Sequence, residues 1–438
     1  MQKQLYPYDT FSRPSSPPRV MPACRVDAIV RWAFAVFLFS IPFETLEIGL
    51  GQGNFSLSRL TGYVFILVAC LQPKTSFRRF PAVFWWFSLY LSVYVFAALY
   101  EGPEYRVEII VQLLTLVQML VLLWISSNLL RSEQTVRHVL GAFAGACVFL
   151  SALQLLGITS VVYHSSDHRI SALDENPNII AAVLALGLLI LVTFARDGRL
   201  RPFTLLAWPC GLLIIIAIVD TGSRGVPVAL AAGVMALVLA ESAKRTRVRN
   251  ALVVLFVLGA LGWLSFQDET VRDRWFRTFE QGSMAGREQR FPAAWQMFLE
   301  RPLVGWGPVA NIKELAVRID MPGGDPHNLY LWVLTEVGVV GAIPYFVGLL
   351  SCLLAAWRGR HGPQGILPLA LLLTVLVNNM STSWQTRKPH WLVLGYALAA
   401  VPWPAIRRLV IPAWARAGAS LQQLQLKIES GIRVNRAR

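Results

Sequence analysis

Charge is scarce in this chain. Asp, Glu, Lys and Arg together make up 15% of its 438 residues, well short of the roughly 25% usual for a soluble domain. Acids are scarcer than bases, 25 against 40, for a formal charge of +15. Cysteine is rare as well: Cys24, Cys70, Cys147, Cys210 and Cys352 show no CxxC spacing, and the last four lie in apolar runs. Neither a disulfide framework nor a zinc site is implied. The outer loops defined below contain no DxD pair, and the chain contains no HExxH, no P-loop glycine pattern and no Gly-x-Ser-x-Gly elbow, which disfavours metal-assisted transfer and serine hydrolysis.

What the sequence has in excess is hydrophobic residues, at 55% with a mean hydropathy of +0.52. Apolar runs recur near 28–45, 56–72, 81–100, 107–127, 138–157, 178–195, 202–220, 226–242, 250–266, 328–356, 366–383 and 390–407. Each is long enough for a helix across ~30 Å of hydrocarbon, so the expected fold is all-α and polytopic, with about twelve transmembrane helices. The expected organisation is a disordered cytoplasmic tail (1–27), nine spans (28–266), a long outer segment with an amphipathic helix (267–326), three further spans (327–407) and a basic tail (408–438).

The bases cluster in short loops, at Lys74, Arg78 and Arg79, at Arg131 and Arg137, at Arg196, Arg199 and Arg201, at Lys244, Arg245, Arg247 and Arg249, and at Arg358 and Arg360. The intervening loops carry acids such as Glu44, Glu47, Glu101 and Glu104. By the positive-inside rule the basic loops and both tails are cytoplasmic. The positive charge is therefore a topology signal, and no basic soluble domain exists to bind nucleic acid. The chemically interesting residues fall on the other side: Arg169 with Asn176-Pro177-Asn178, the run Asp220 to Gly225, the segment 267–326, and Arg387, Lys388 and His390.

Within the outer segment, Phe291, Trp295, Phe298 and Leu299 recur at helical offsets and predict one face of a helix lying on an apolar surface. Arg287 and Arg290, three apart, are expected to point toward a shared anion. Pro302, Gly305, Gly307 and Pro308 break that helix. Asp325 is expected to cap the next one, with Pro326 and His327 on its opening turn. Helix starts favour anions, and histidine exchanges protons near neutral pH. A histidine at such a place is often a plain surface residue, but here it follows a Gly-rich turn on a face dominated by arginines. Arg224, in Thr-Gly-Ser-Arg-Gly, can be a snorkelling arginine; its small neighbours and its side of the membrane favour an anion site. Asn176 or Asn178 is expected to cap a helix, and Glu336 to point into the bundle toward a donor. Arginines and one histidine base suit displacement of a phosphate leaving group without a metal.

The runs Gly286-Arg287, Pro302-Leu303-Val304-Gly305-Trp306-Gly307-Pro308, His327-Asn328-Leu329-Tyr330-Leu331 and Glu336-Val337-Gly338 resemble the signature region of the O-antigen ligase and polymerase superfamily, as do Thr221 to Gly225 and Asn176 to Asn178. Within it the chain is most similar to the O-antigen ligases. That resemblance implies a GT-C-like glycosyltransferase of the bacterial inner membrane, without a cofactor, with undecaprenyl diphosphate-linked O-antigen as donor and lipid A–core as acceptor. It implies His327, Arg224 and Arg287 as catalytic residues, and Arg290, Arg169, Asn328 and Lys388 as substrate-binding ones. Polymerase and protein O-oligosaccharyltransferase readings share this donor handling and stay open. A transporter would show a midplane site and an inverted repeat, and neither is visible.

Overall fold

The computed structural model describes residues 26–46, 56–163, 169–196, 201–240, 286–321 and 323–401, with isolated positions between 247 and 282. The expected N-terminal tail up to residue 25, the ninth span, most of 267–285 and the basic C-terminal tail lie outside the described residues.

The elements are almost all helical. They are α1 (Ala28–Ser40), α2 (Leu57–Cys70), the short α3 (Pro73–Ser76), α4 (Val83–Ala98), α5 (Arg106–Leu129), α6 (Glu133–Leu155), α7 (Pro177–Ala195), α8 (Arg201–Asp220), α9 (Gly225–Leu239), α10 (Arg287–Glu300), α11 (Ala310–Ile319), α12 (Leu329–Gly359), α13 (Leu367–Asn378) and α14 (Lys388–Ala399). Asp27, Ser56, Ser132 and Asn176 cap their helices through side-chain oxygens, which fixes where apolar runs become helix. Among the described residues four helices are long and apolar enough to cross a membrane, Pro103–Leu129, Glu133–Leu155, Pro177–Ala195 and Leu329–Gly359, and several apolar helices are shorter. One departure from the all-helical expectation is a small antiparallel pair, β1 (Ser160–Tyr163) with β2 (Arg169–Ala172). Another concerns the run 366–383, whose helix stops at Asn378; the remainder is a polar turn.

The main core is one continuous apolar cluster in which α1 packs on α6, α4 on α12, α5 on α14, α7 on α8 and α9 on α13. Small residues set the closest approaches. A side chain at Gly233 would meet the Thr374 hydroxyl of α13 at 2.2 Å, so α9 and α13 pack nearly backbone to backbone.

Among the described residues, the charge-sorted loops gather at two ends. Arg131 donates to the carbonyls of Val401 and Leu398, and Gln364 to that of Leu130. At the opposite end, Arg387 pairs with Glu175 at 3.1 Å and Glu44 at 3.6 Å, and Glu101 accepts from the amides of Val309 and Ala310. Glu101 thereby caps the start of α11. Burial raises its carboxyl above the usual range despite those two donors.

Helix α12 is broken inside its apolar run. Gly338 has φ +57° and ψ −167°, which interrupts the ladder. The freed groups find partners in the segment after α10. The Thr335 and Glu336 carbonyls accept from Trp306 (2.8 Å) and Gly307 (3.0 Å), and the Val339 and Val340 amides donate to Pro302 (2.8 Å) and Leu303 (3.1 Å). A helix broken inside an apolar run requires such replacement bonds. The contact is close enough to require glycine on both sides: a Cβ at Gly305 would lie 2.6 Å from the Glu336 carbonyl, and one at Gly338 would lie 2.3 Å from Leu303. Two glycine-bearing runs far apart in sequence are thus the two halves of one backbone junction.

Candidate functional site

The site is assembled at the end where Glu44, Glu101 and Glu175 also lie. Arg224 precedes α9 in the turn Thr221 to Arg224, and Gly225 lies against Ser381, where an added Cβ would meet the hydroxyl at 2.5 Å. Gly286, at φ +82°, starts α10 and sets Arg287 on its first turn. The Arg287 guanidinium donates through Nη2 to the Ser381 carbonyl at 2.9 Å. The polar turn after α13 therefore lies between the arginine of the outer segment and the start of α9. Burial, and next the like charge of Arg224, hold the Arg287 guanidinium below its ordinary pKa, against the attraction of Asp325. The fold keeps two arginines within each other's field at a half-buried spot.

His327 does not sit on the opening turn of a helix, and Asp325 is not its cap. Asn328 caps α12, accepting from Tyr330 (3.0 Å) and Leu331 (3.1 Å) through Oδ1. His327 stands before the cap at φ +52°, a left-handed conformation uncommon outside glycine. Asp325 imposes it: Oδ1 accepts the His327 amide at 2.7 Å, and Oδ2 lies 3.4 Å from His327 Nδ1. Asp325 also accepts from the Ser383 hydroxyl at 2.7 Å. Burial by itself would raise the Asp325 carboxyl; the His327 and Ser383 contacts outweigh it and hold it below the ordinary value. The carboxylate orients Nδ1 and leaves Nε2 as the imidazole's other working nitrogen. A base oriented by a carboxylate is the arrangement general-base catalysis uses.

The remaining expected residues are distributed differently. Arg290 is 9% exposed and donates to the carbonyls of Gly323 (2.8 Å) and Asp325 (2.6 Å), so it holds the loop carrying His327. Lys388 is paired with Glu44 and donates to Ser58 at 3.1 Å, toward α1 and α2. An acid from another loop, Glu44, thus holds the Lys388 amine. Arg169 begins β2 opposite Tyr163. Asn176 caps α7, accepting from Asn178 at 2.9 Å.

The expected stripe of α10 is divided between two sides of the helix. Arg290, Ala294, Met297 and Phe298 point inward, with Ala294 and Met297 packed on Leu315 of α11, whereas Trp295 and Leu299 are exposed. Phe298 is the expected stripe residue that is buried. The apolar arc of α10 is wider than the groove it fills, so spacing alone leaves its phase open.

The segment from within α8 to past the middle of α12 is similar to a known family. Residues 209–346 match the Wzy_C family model, O-antigen ligase. Over this segment, under a third of its length, the chain is similar to the O-antigen ligase/polymerase superfamily. No curated protein matches the chain. The Wzy_C segment takes in Arg224, Arg287, Arg290, Asp325, His327 and both sides of the Gly305–Gly338 junction, and leaves Arg169 and Lys388 outside. The family supports a glycosyltransferase-like activity of the ligase or polymerase type, on lipid-linked polysaccharide in a membrane setting.

The O-antigen ligase segment also depends on residues outside it that sequence reasoning passed over. Tyr90 (2.8 Å) and Gln385 (2.8 Å) donate to the Glu336 carboxylate, with Trp332 at 3.1 Å, beside the α12 break. Glu336 thus finds the donors expected for it. Asn379 donates to His390 Nδ1 (3.1 Å), leaving Nε2 to face Tyr345 (3.3 Å). The signal was the density of amides and hydroxyls in Asn378-Asn379-Met380-Ser381-Thr382-Ser383-Trp384-Gln385, which the span expected over 366–383 had largely absorbed.

Proposed function

We propose that this protein is an O-antigen ligase that moves a finished polysaccharide from undecaprenyl diphosphate to a sugar of lipid A–core. The reaction is placed at the outer face of the bacterial inner membrane, with both termini in the cytoplasm and about twelve spans. The observation that carries the reading is the Arg224–Arg287 pair beside a His327 oriented by Asp325. Two like charges held together repel, and a bound diphosphate relieves that repulsion while accepting their hydrogen bonds.

In this reading the acceptor hydroxyl oxygen attacks the anomeric carbon from the face opposite the diphosphate. The new glycosidic C–O bond forms as the sugar–phosphate C–O bond breaks, with inversion. His327 takes the hydroxyl proton, and Arg224 and Arg287 neutralise the diphosphate as it departs. No metal is needed, because the arginines supply the positive charge. Arg290 contributes by holding the 323–325 loop, Asn328 by starting α12, and Lys388 by fixing α14 against α1 and α2.

The test is transfer by the purified, reconstituted protein without added metal. It uses undecaprenyl diphosphate-linked glycan and offers lipid A–core, a lipid-linked repeat unit and an acceptor protein separately. Product on lipid A–core alone, lost in His327→Ala, supports the ligase. Product on the repeat unit or the protein moves it to polymerase or protein O-oligosaccharyltransferase. No product from folded protein refutes the reading.

A further inference from the structure

Among the described residues the outward edge of α10 is exposed, and it continues an apolar stripe that runs the length of α12. Beyond its break α12 exposes Val340 (51%), Ile343 (55%), Leu350 (53%) and Trp357 (52%), on one face at helical spacing. On a helix packed into a membrane bundle, such a face meets lipid. The stripe does not end at Val340. The Val340 amide donates to the Leu303 carbonyl at 3.1 Å, and Leu303 is itself 65% exposed. Four and eight residues earlier lie Leu299 (57%) and Trp295 (48%) on α10.

Helix α10 therefore has three edges. One packs inward through Ala294, Met297 and Phe298; one is polar and exposed at Gln289, Gln296 and Glu300; and one is apolar and exposed, contiguous with the lipid-facing side of α12. An apolar edge beside a polar one is the pattern of a helix lying in the membrane interface, where tryptophan is favoured.

We infer that α10 is seated in the bilayer leaflet at the active-site end, with Trp295, Leu299 and Leu303 among the lipids and Gln296 facing water. The occupant of this edge is bilayer lipid. The consequence for chemistry, which rests on the ligase reading, is that α10 sets Arg287 at headgroup depth, where a diphosphate on a lipid tail presents itself. The docking itself does not depend on that reading.

The test is a nitroxide at Leu299→Cys, Leu303→Cys or Gln296→Cys in full-length protein with its native cysteines replaced, reconstituted in nanodiscs of phosphatidylethanolamine and phosphatidylglycerol. Leu350→Cys serves as the lipid-facing reference. The expected result is relaxation by oxygen exceeding that by a water-soluble nickel chelate at 299, 303 and 350, with the order reversed at 296. Nickel access at 299 and 303 equal to that at 296 overturns the proposal. Access of neither reagent also overturns it, and assigns the edge to a second copy of the chain. Should cysteine replacement prevent folding, benzoylphenylalanine at 299 in the otherwise native protein decides by intact mass. Lipid adducts on irradiation support the proposal; dimers or unmodified protein overturn it. Neither readout involves glycan transfer, so a seated but inactive protein refutes the ligase reading alone.

Discussion

Asp325 holds His327 twice, accepting its backbone amide at 2.7 Å through one carboxylate oxygen and lying 3.4 Å from its Nδ1 with the other. The same carboxylate that forces the left-handed turn also orients the ring. Asp325→Asn keeps an acceptor for the amide and removes the charge beside Nδ1. Transfer is expected to fall about 10²-fold, the lower range for impairing a general base, with expression and gel-filtration profile unchanged. Thermal unfolding against pH gives a second readout. The Asp325 carboxyl titrates lower when folded than its ordinary 3.8. Its stabilisation is thus present above that value and lost as pH falls through the lowered folded one. The melting temperature of Asp325→Asn should accordingly fall less steeply than wild type in acid.

Arg224 and Arg287 repel each other across the site. Arg224→Ala removes the like charge that adds to burial in lowering the Arg287 pKa, and transfer should drop by roughly 10²–10³, out of proportion to any change in melting temperature. Arg224→Lys restores the charge without the two-pronged donor and should recover only part of the rate. A variant that loses stability and activity in proportion would show Arg224 to be structural.

The junction between the Gly305 turn and the α12 break tolerates no side chain. Gly305→Ala and Gly338→Ala each place a Cβ within 2.6 Å of backbone across the junction and at a positive φ. A loss of about 2–4 kcal/mol is expected for forcing strain and breaking the docking together, read as a lower unfolding temperature in detergent. An unchanged melting curve for both would show that the junction does not form.

Glu336 faces three donors, Tyr90, Trp332 and Gln385. Glu336→Gln turns an amide N–H toward them, at a cost of about 1–3 kcal/mol for one mismatched buried group. Glu336→Gln combined with Gln385→Glu returns one carboxylate and one amide to the cluster and should recover much of the loss. Equal stability of the single and double variants would show that the two side chains do not interact.

The sequence by itself determined the apolar runs, their caps and the sorting of loops by charge, because length, hydropathy and charge act locally and do not depend on what packs where. Asp27, Ser56, Ser132 and Asn176 start their helices next to those runs. The loops sorted by charge then meet at two ends, as Arg387 with Glu44 and Glu175, or Arg131 with Val401. Only the tertiary structure decided the rest. Asp325 reads as a cap until Asn328 takes that role, because both offer the same side-chain oxygen and the choice depends on Ser383 and Arg290 fixing the loop. The break at Gly338 is invisible in an apolar run, since its replacement hydrogen bonds come from residues 302–307. The division of the α10 stripe was open for a similar reason: periodicity sets the spacing of apolar residues, and which of them turn inward is set by the neighbours they meet, α11 and α12 on one edge and, as proposed, lipid on the other.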